Sequence, residues 1–186
     1  ADIVHNIMLA IVEYKIDRPM QLTFDGEEDG REKTLVVSEN QSFESKTWEF
    51  RLDIADAKSV NATDGGLGLQ VFWNKSPVKG IAIIKPYNCD RVNSADVPDV
   101  MYRIDYNEDG ASGYEKDMTV YIYGIASAAT DTNRFAISSL KMFAGKNGDY
   151  VDVFGNSDHP NASFFTNDVG FNWAFVASGS ESLDIG

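Results

Sequence analysis

The sequence predicts an all-β protein: an antiparallel β-sandwich or calycin-like β-barrel of about ten strands, with one N-terminal α-helix. Three observations carry that expectation. Val, Ile, Thr and aromatic residues fall in short runs that alternate with polar residues, the pattern of half-buried strands. Clusters of Asn, Asp and Gly separate the runs, and such residues supply the dihedral angles that tight reversals need. The connections are too short for the crossover helices that parallel strands require. At 186 residues the chain is sized for one domain with a real core, and no Pro/Gly/Ser-rich linker divides it, so residues 1–186 are read as a single unit.

The first segment carries the helix. Ile3, Val4, Ile7, Met8, Ile11 and Val12 recur at helical spacing over residues 2–15, with Asp2 placed to cap the start. Pro19 ends it. Strands are then expected at Met20–Phe24, at Lys33–Ser38 and at Lys46–Ile54, where Trp48, Phe50, Leu52 and Ile54 alternate with Glu49, Arg51 and Asp53. Leu67–Trp73 and Gly80–Lys85 follow, the latter apolar enough to be covered on both faces. Residues 87–99 read as the longest irregular connection. Two hairpins are expected next, Val100–Tyr106 with Asp117–Ala126 and Arg134–Phe143 with Tyr150–Phe154. Phe171–Ala177 is the last strand, and the polar tail 178–186 is read as mobile.

Composition narrows the partners. The formal charge is −13, from 29 acidic and 16 basic residues, which repels phosphate backbones and argues against nucleic acid. No segment reaches the run of roughly 20 apolar residues that a membrane helix needs. The single Cys89 allows no internal disulfide. The chain opens on Ala1 without a basic-then-apolar leader and reads as one whose targeting segment has been removed.

Chemistry-bearing motifs are sparse. Asp105-Tyr106-Asn107-Glu108-Asp109-Gly110 resembles the first half of a calcium loop, with Asp105, Asn107 and Asp109 as oxygen ligands and Gly110 at the turn; the twelfth position, however, is Lys116 instead of a bidentate Glu. His5 and His159 are the only histidines, too few for a zinc site, and no nucleophile elbow is present. Gly65-Gly66-Leu67-Gly68 precedes a strand, so no helix N-terminus is available to hold a phosphate.

Aromatic faces are the remaining signal. Tyr102 and Tyr106 on one strand, with Tyr121 and Tyr123 on its hairpin partner, would stack across the sheet and, with Trp48 or Trp73, form a sugar- or protein-docking platform. Asp152 shares a strand face with Tyr150 and Phe154, while Val151 and Val153 take the other, core-forming face. An acid among aromatics suits a sugar hydroxyl or, paired with a second carboxylate, glycoside hydrolysis.

Together these features predict a non-catalytic ligand-binding or adhesion module, taking a small apolar ligand, a glycan or a protein. The expected setting is a bacterial periplasm or cell surface, as the body of a lipoprotein; the general texture resembles secreted β-domains of gut-type bacteria, and the cytoplasm is not excluded by composition. The alternatives are a carboxylate-based glycoside hydrolase and a calcium-stabilised carbohydrate-binding domain.

Overall fold

The computed structural model describes residues 18–59, 61–125, 137–158 and 171–178. The chain is all-β and antiparallel. Ten strands follow one another: β1 (Met20–Asp25), β2 (Glu32–Phe43), β3 (Lys46–Asp56), β4 (Leu67–Lys75), β5 (Val78–Ile84), β6 (Met101–Asn107), β7 (Lys116–Tyr123), β8 (Ser139–Asn147), β9 (Tyr150–Asp158) and β10 (Phe171–Ser178). Each pairs with its neighbour in sequence, giving one sheet in the order β1 to β10. Among the described residues no pairing joins β1 to β10, so the sheet is not closed as a barrel. The expected helix over 2–15 and the tail beyond Ser178 lie outside the described residues.

Most strands begin and end near where alternation placed them, but β8 and β9 end at Asn147 and Asp158 instead of Phe143 and Phe154, and β2 is longer still. β2 runs past its expected end at Ser38 to Phe43, where a two-residue reversal at Glu44 and Ser45, with φ values of 50° and 62°, suits the twist of a hairpin into β3. Glu39, Gln41 and Ser42 carry no apolar signal, yet they pair with β3. The tertiary role of this hairpin tip, described below, explains the extension.

One face of the sheet, here face A, is the core. Register aligns Leu52, Val71, Ala82 and Ile104 in one cross-strand row and Phe50 with Trp73 in the next. These residues and Val37 and Ile84 form a buried cluster, onto which Met20, Leu35, Ile54, Leu69, Tyr102, Met118 and Val120 pack. Trp73 stacks on Phe50 with centroids 5.2 Å apart. Trp73 in this cluster, and Trp48 in a second one with Phe72 and Ile81, are buried and unavailable as a docking platform.

At one end the core meets a buried ionic knot. The row of Phe24, Lys33 and Asp56 continues face A, but Lys33 and Asp56 are 2% and 1% exposed. Burial of such charges is costly unless they are paired, and here Lys33 and Asp56 both are. Asp56 accepts from Arg31 Nε at 2.5 Å and Nη2 at 3.0 Å, and from the Lys58 N–H at 2.9 Å. Lys33 Nζ donates to Asp29 at 2.9 Å and to the Asn88 carbonyl at 3.2 Å. Asp29 also accepts from the N–H groups of Arg31 and Arg91.

The segment after β5 is what closes this end. A single helical turn, α1 (Pro86–Cys89), starts on proline, where the missing N–H costs nothing. It lies against a β-bulge in β4, where Ile54 pairs with Leu69 and Ala55 with Leu67. Gly68 is the extra residue, and a Cβ there would sit 2.9 Å from Cys89 Sγ and 3.0 Å from the Cys89 nitrogen. Asn88 joins the parts: its Nδ2 donates to Asp64 Oδ2 and the Leu67 carbonyl, and its Oδ1 accepts from Arg91 Nη2. The guanidinium of Arg91 covers the Tyr87 ring at 4.2 Å. Residues 87–99, expected to be an irregular loop, thus hold the end of the core. Among the described residues no helix is long and apolar enough to cross a membrane.

Candidate functional site

The opposite face of the sheet, face B, is polar and aromatic, and its two halves have different fates. Over β4 to β6 it is covered by the β2–β3 hairpin tip. Phe43 stacks on Phe72 with centroids 4.2 Å apart and planes 8° from parallel, and Trp48 tilts against the same ring. Beside the tip, Glu44 forms a two-bond pair with Arg103 on β6, at 2.5 and 2.8 Å. Such forked Arg–carboxylate pairs fix orientation as well as adding energy. Arg103 Nε also holds Asp105 at 2.8 Å. Bonding to Arg103 keeps the Glu44 carboxyl below its ordinary pKa. This cover is why β5 reads apolar on both sides, with Ile81 on face B and Ala82 on face A both buried.

Over β7 to β9 face B is more open. Register sets out a grid of three rows: Asp117, Gly145 and Asp152; then Thr119, Phe143 and Phe154; then Tyr121, Lys141 and Asn156. Phe143 and Phe154 stack with centroids 4.7 Å apart, and Phe154 remains 46% exposed. Tyr121 and Tyr123 stack at 6.1 Å with planes 3° from parallel, and Lys141 Nζ stands 5.2 Å from the Tyr121 centroid.

Tyr114, from the β6–β7 loop, completes the patch. Its ring lies over Gly145, where an added Cβ would be 2.5 Å from the ring. An aromatic laid over a strand glycine covers backbone that has no side chain of its own. Tyr114 also tilts against Phe143, centroids 5.5 Å apart, and its hydroxyl donates to Asp152 Oδ2 at 2.7 Å. That bond to a carboxylate, helped by burial, raises the Tyr114 pKa. Sequence reading missed Tyr114 because it belongs to a loop, and only Gly145 in an otherwise continuous strand marked where a ring would be received.

The predicted tyrosines do not meet across the hairpin. Tyr102 pairs with Ile122 and Tyr106 with Met118, both on face A, whereas Tyr121 and Tyr123 are on face B. The expected cross-hairpin stack is therefore corrected: the register differs by one residue from the one it needs, and one residue moves a side chain to the other face. Tyr106 hydrogen-bonds Glu108, and burial, then that bond, raises its pKa. Asp152 lies on face B with Phe154, and Val153 is buried opposite them. Tyr150 is 63% exposed at the strand end.

The calcium expectation is corrected on geometry. A calcium loop curls around its ion, but Asp105 and Asn107 belong to strand β6. Asp105 is bonded to Arg103, Asn107 Nδ2 donates to Asp117 Oδ1 at 3.0 Å, and Asp109 Oδ1 accepts from the Ala111 N–H at 3.0 Å. Among the described residues no group of three or more His, Cys, Asp or Glu could hold a metal ion.

No known family model matches the chain, and no curated protein or solved structure matches it. The site is therefore read from its own chemistry. Asp117 and Asp152 share a cross-strand row, two strands and roughly 10 Å apart. That spacing is near the range of paired glycosidase acids, but the Tyr114 ring fills the ground between them over Gly145. Asp117 is buried, with its oxygens bonded to Asn107 and Ser112. What the patch offers is a set of ring faces, one carboxylate fixed by a phenol, and one ammonium group.

Gly145→Ala tests how the patch is held together. The added methyl should push Tyr114 off the strand and break its bond to Asp152. The Tyr114 hydroxyl should then titrate at lower pH, as read by ultraviolet absorbance against the wild type and Tyr114→Phe. An unchanged titration would show that the bond does not depend on this glycine.

Proposed function

We propose that this chain is a non-catalytic binding module, of an adhesion type, that takes a neutral glycan on face B over β7 to β9. The observation supporting this is the Phe143–Phe154 stack, with Phe154 exposed, beside the Tyr114–Asp152 pair. Ring faces offer flat apolar contact to the C–H side of a sugar, and a carboxylate already oriented by a phenol accepts from a sugar hydroxyl without a large reorganisation. The tyrosine pair and Lys141 extend the platform along the strands. A net charge of −13 favours a neutral or basic partner over an anionic one.

A bacterial periplasm or cell surface is our reading of its setting, with the chain as the body of a lipoprotein. It rests on the abundance of strands, the Asn/Asp/Gly turns and the aromatic patch. The interior-ligand form, a calycin-like barrel around a small apolar molecule, has less to support it, because the ligand would need a closed sheet.

Phe154→Ala should separate binding from folding. Titration of labelled protein with neutral oligosaccharides, followed by amide chemical shifts, should perturb residues of β7 to β9 in the wild type. In Phe154→Ala affinity should fall at least about tenfold, the loss expected when one well-placed contact is removed. Release of reducing ends by the wild type, lost in Asp152→Asn, would instead establish the hydrolase alternative.

A further inference from the structure

We infer that the outer edge of β1, unpaired among the described strands, pairs with the β1 edge of a second copy of this chain, antiparallel and centred on Thr23, to form a two-fold dimer. Strand β1 is the first strand of the sheet and is hydrogen-bonded on its β2 side only among the described strands. The Gly26 N–H donates to the Arg31 carbonyl at 2.9 Å, in the register that pairs Asp25 with Glu32. Hydrogen-bonded and non-hydrogen-bonded pairs alternate in such a ladder, so Met20, Leu22 and Phe24 direct their backbone groups to β2. The N–H and C=O groups of Gln21, Thr23 and Asp25 consequently point away from the sheet.

Natural sheets guard such edges with lysine, proline, a bulge or a cover. The strand Met-Gln-Leu-Thr-Phe-Asp contains neither lysine nor proline, its register with β2 is unbroken, and five of its six residues are exposed. Leu22 and Phe24, on the core face, are 38% and 39% exposed.

The strand is complementary to itself. Centred on Thr23, an antiparallel copy opposes Thr23 to Thr23 and Gln21 to Asp25, which are the residues with outward backbone groups. It sets Leu22 against Phe24 of the second copy on both sides of the axis, which continues the apolar row of face A across the junction. It also carries Arg18, just before β1, next to Glu27 and Glu28 just after it. All three are exposed, and opposite charges at a rim set register and orientation. An isologous contact of this kind closes at two subunits. One short strand is less than a standard interface, so the association should be weak and reversible.

Sedimentation velocity from about 10 µM to about 1 mM should show the dimer growing by mass action. Amide exchange at Thr23 and Asp25 should slow over the same range. Thr23→Pro removes an outward N–H without touching the β1–β2 ladder; it should remain monomeric with an unchanged melting temperature. Arg18→Glu should weaken the dimer at least about fivefold, and Arg18→Glu with Glu27→Arg should restore it. A wild type that is monomeric throughout, or a dimer that survives both Thr23→Pro and Arg18→Glu, would overturn the assignment. So would slow exchange at Thr23 and Asp25 already in the dilute monomer, since a segment of the same chain would then occupy the edge.

Discussion

Asp56→Ala should destabilise the fold by about 3–5 kcal/mol, the cost expected when one partner of a buried ion pair is removed and the others stay behind. Its side chain is fully buried, and Lys33 beside it is almost so. Without the carboxylate, Arg31 loses both bonds to it, Lys33 loses a charge 3.6 Å away and Arg91 one 3.7 Å away. Chemical denaturation of the variant should show the loss as a lower midpoint at unchanged slope. A change under about 1 kcal/mol would mean that water or Asp29 takes over the cations.

The same knot sets the response to acid. Bonding to Arg31, acting against burial, brings the Asp56 carboxyl down to about 2. For Asp29, burial works the other way, but the Arg91 N–H and the Lys33 ammonium outweigh it and the value is also about 2. Both lie below the unfolded value near 3.9, so the native state favours their charged forms. Their contribution is present in full above about pH 4 and is lost as pH falls from there through about 2. Thermal unfolding between pH 7 and pH 2 should show that fall, and Asp56→Asn should flatten it.

Phe72→Ala should cost a comparable amount, about 3–5 kcal/mol, as for other buried aromatic truncations. Phe72 is 1% exposed and is held between Phe43 and Trp48, with the Arg51 guanidinium 5.4 Å from its ring centre. The distinctive consequence is local. Without that ring the hairpin tip loses its seat, so amides of residues 43–46 should exchange faster by more than the global loss of stability explains. If they exchange only in step with global unfolding, the Glu44–Arg103 pair alone holds the tip.

The all-β class was legible because alternation is local. Phe50, Leu52 and Ile54 face the core for the same reason that they alternate with charges in the chain. The hairpin turns were legible through Asn and Gly. The knot was not, because Lys33, Asp56 and Asn88 are ordinary polar residues until residues 29, 56 and 88 are brought together. Tyr102 and Tyr106 were misassigned relative to Tyr121 and Tyr123 because alternation alone does not fix which residue opposes which.

The sequence by itself determined ten strands, their places along the chain and the apolar stripe that each contributes, since these depend on period-two patterning and turn chemistry within about a dozen residues. Only the tertiary structure decided that the strands join in one unclosed sheet, and that the β2–β3 tip covers half of face B. It alone brought Tyr114 over Gly145. Those outcomes depend on register and on contacts between residues tens of positions apart, where a shift of one residue exchanges the faces of a strand.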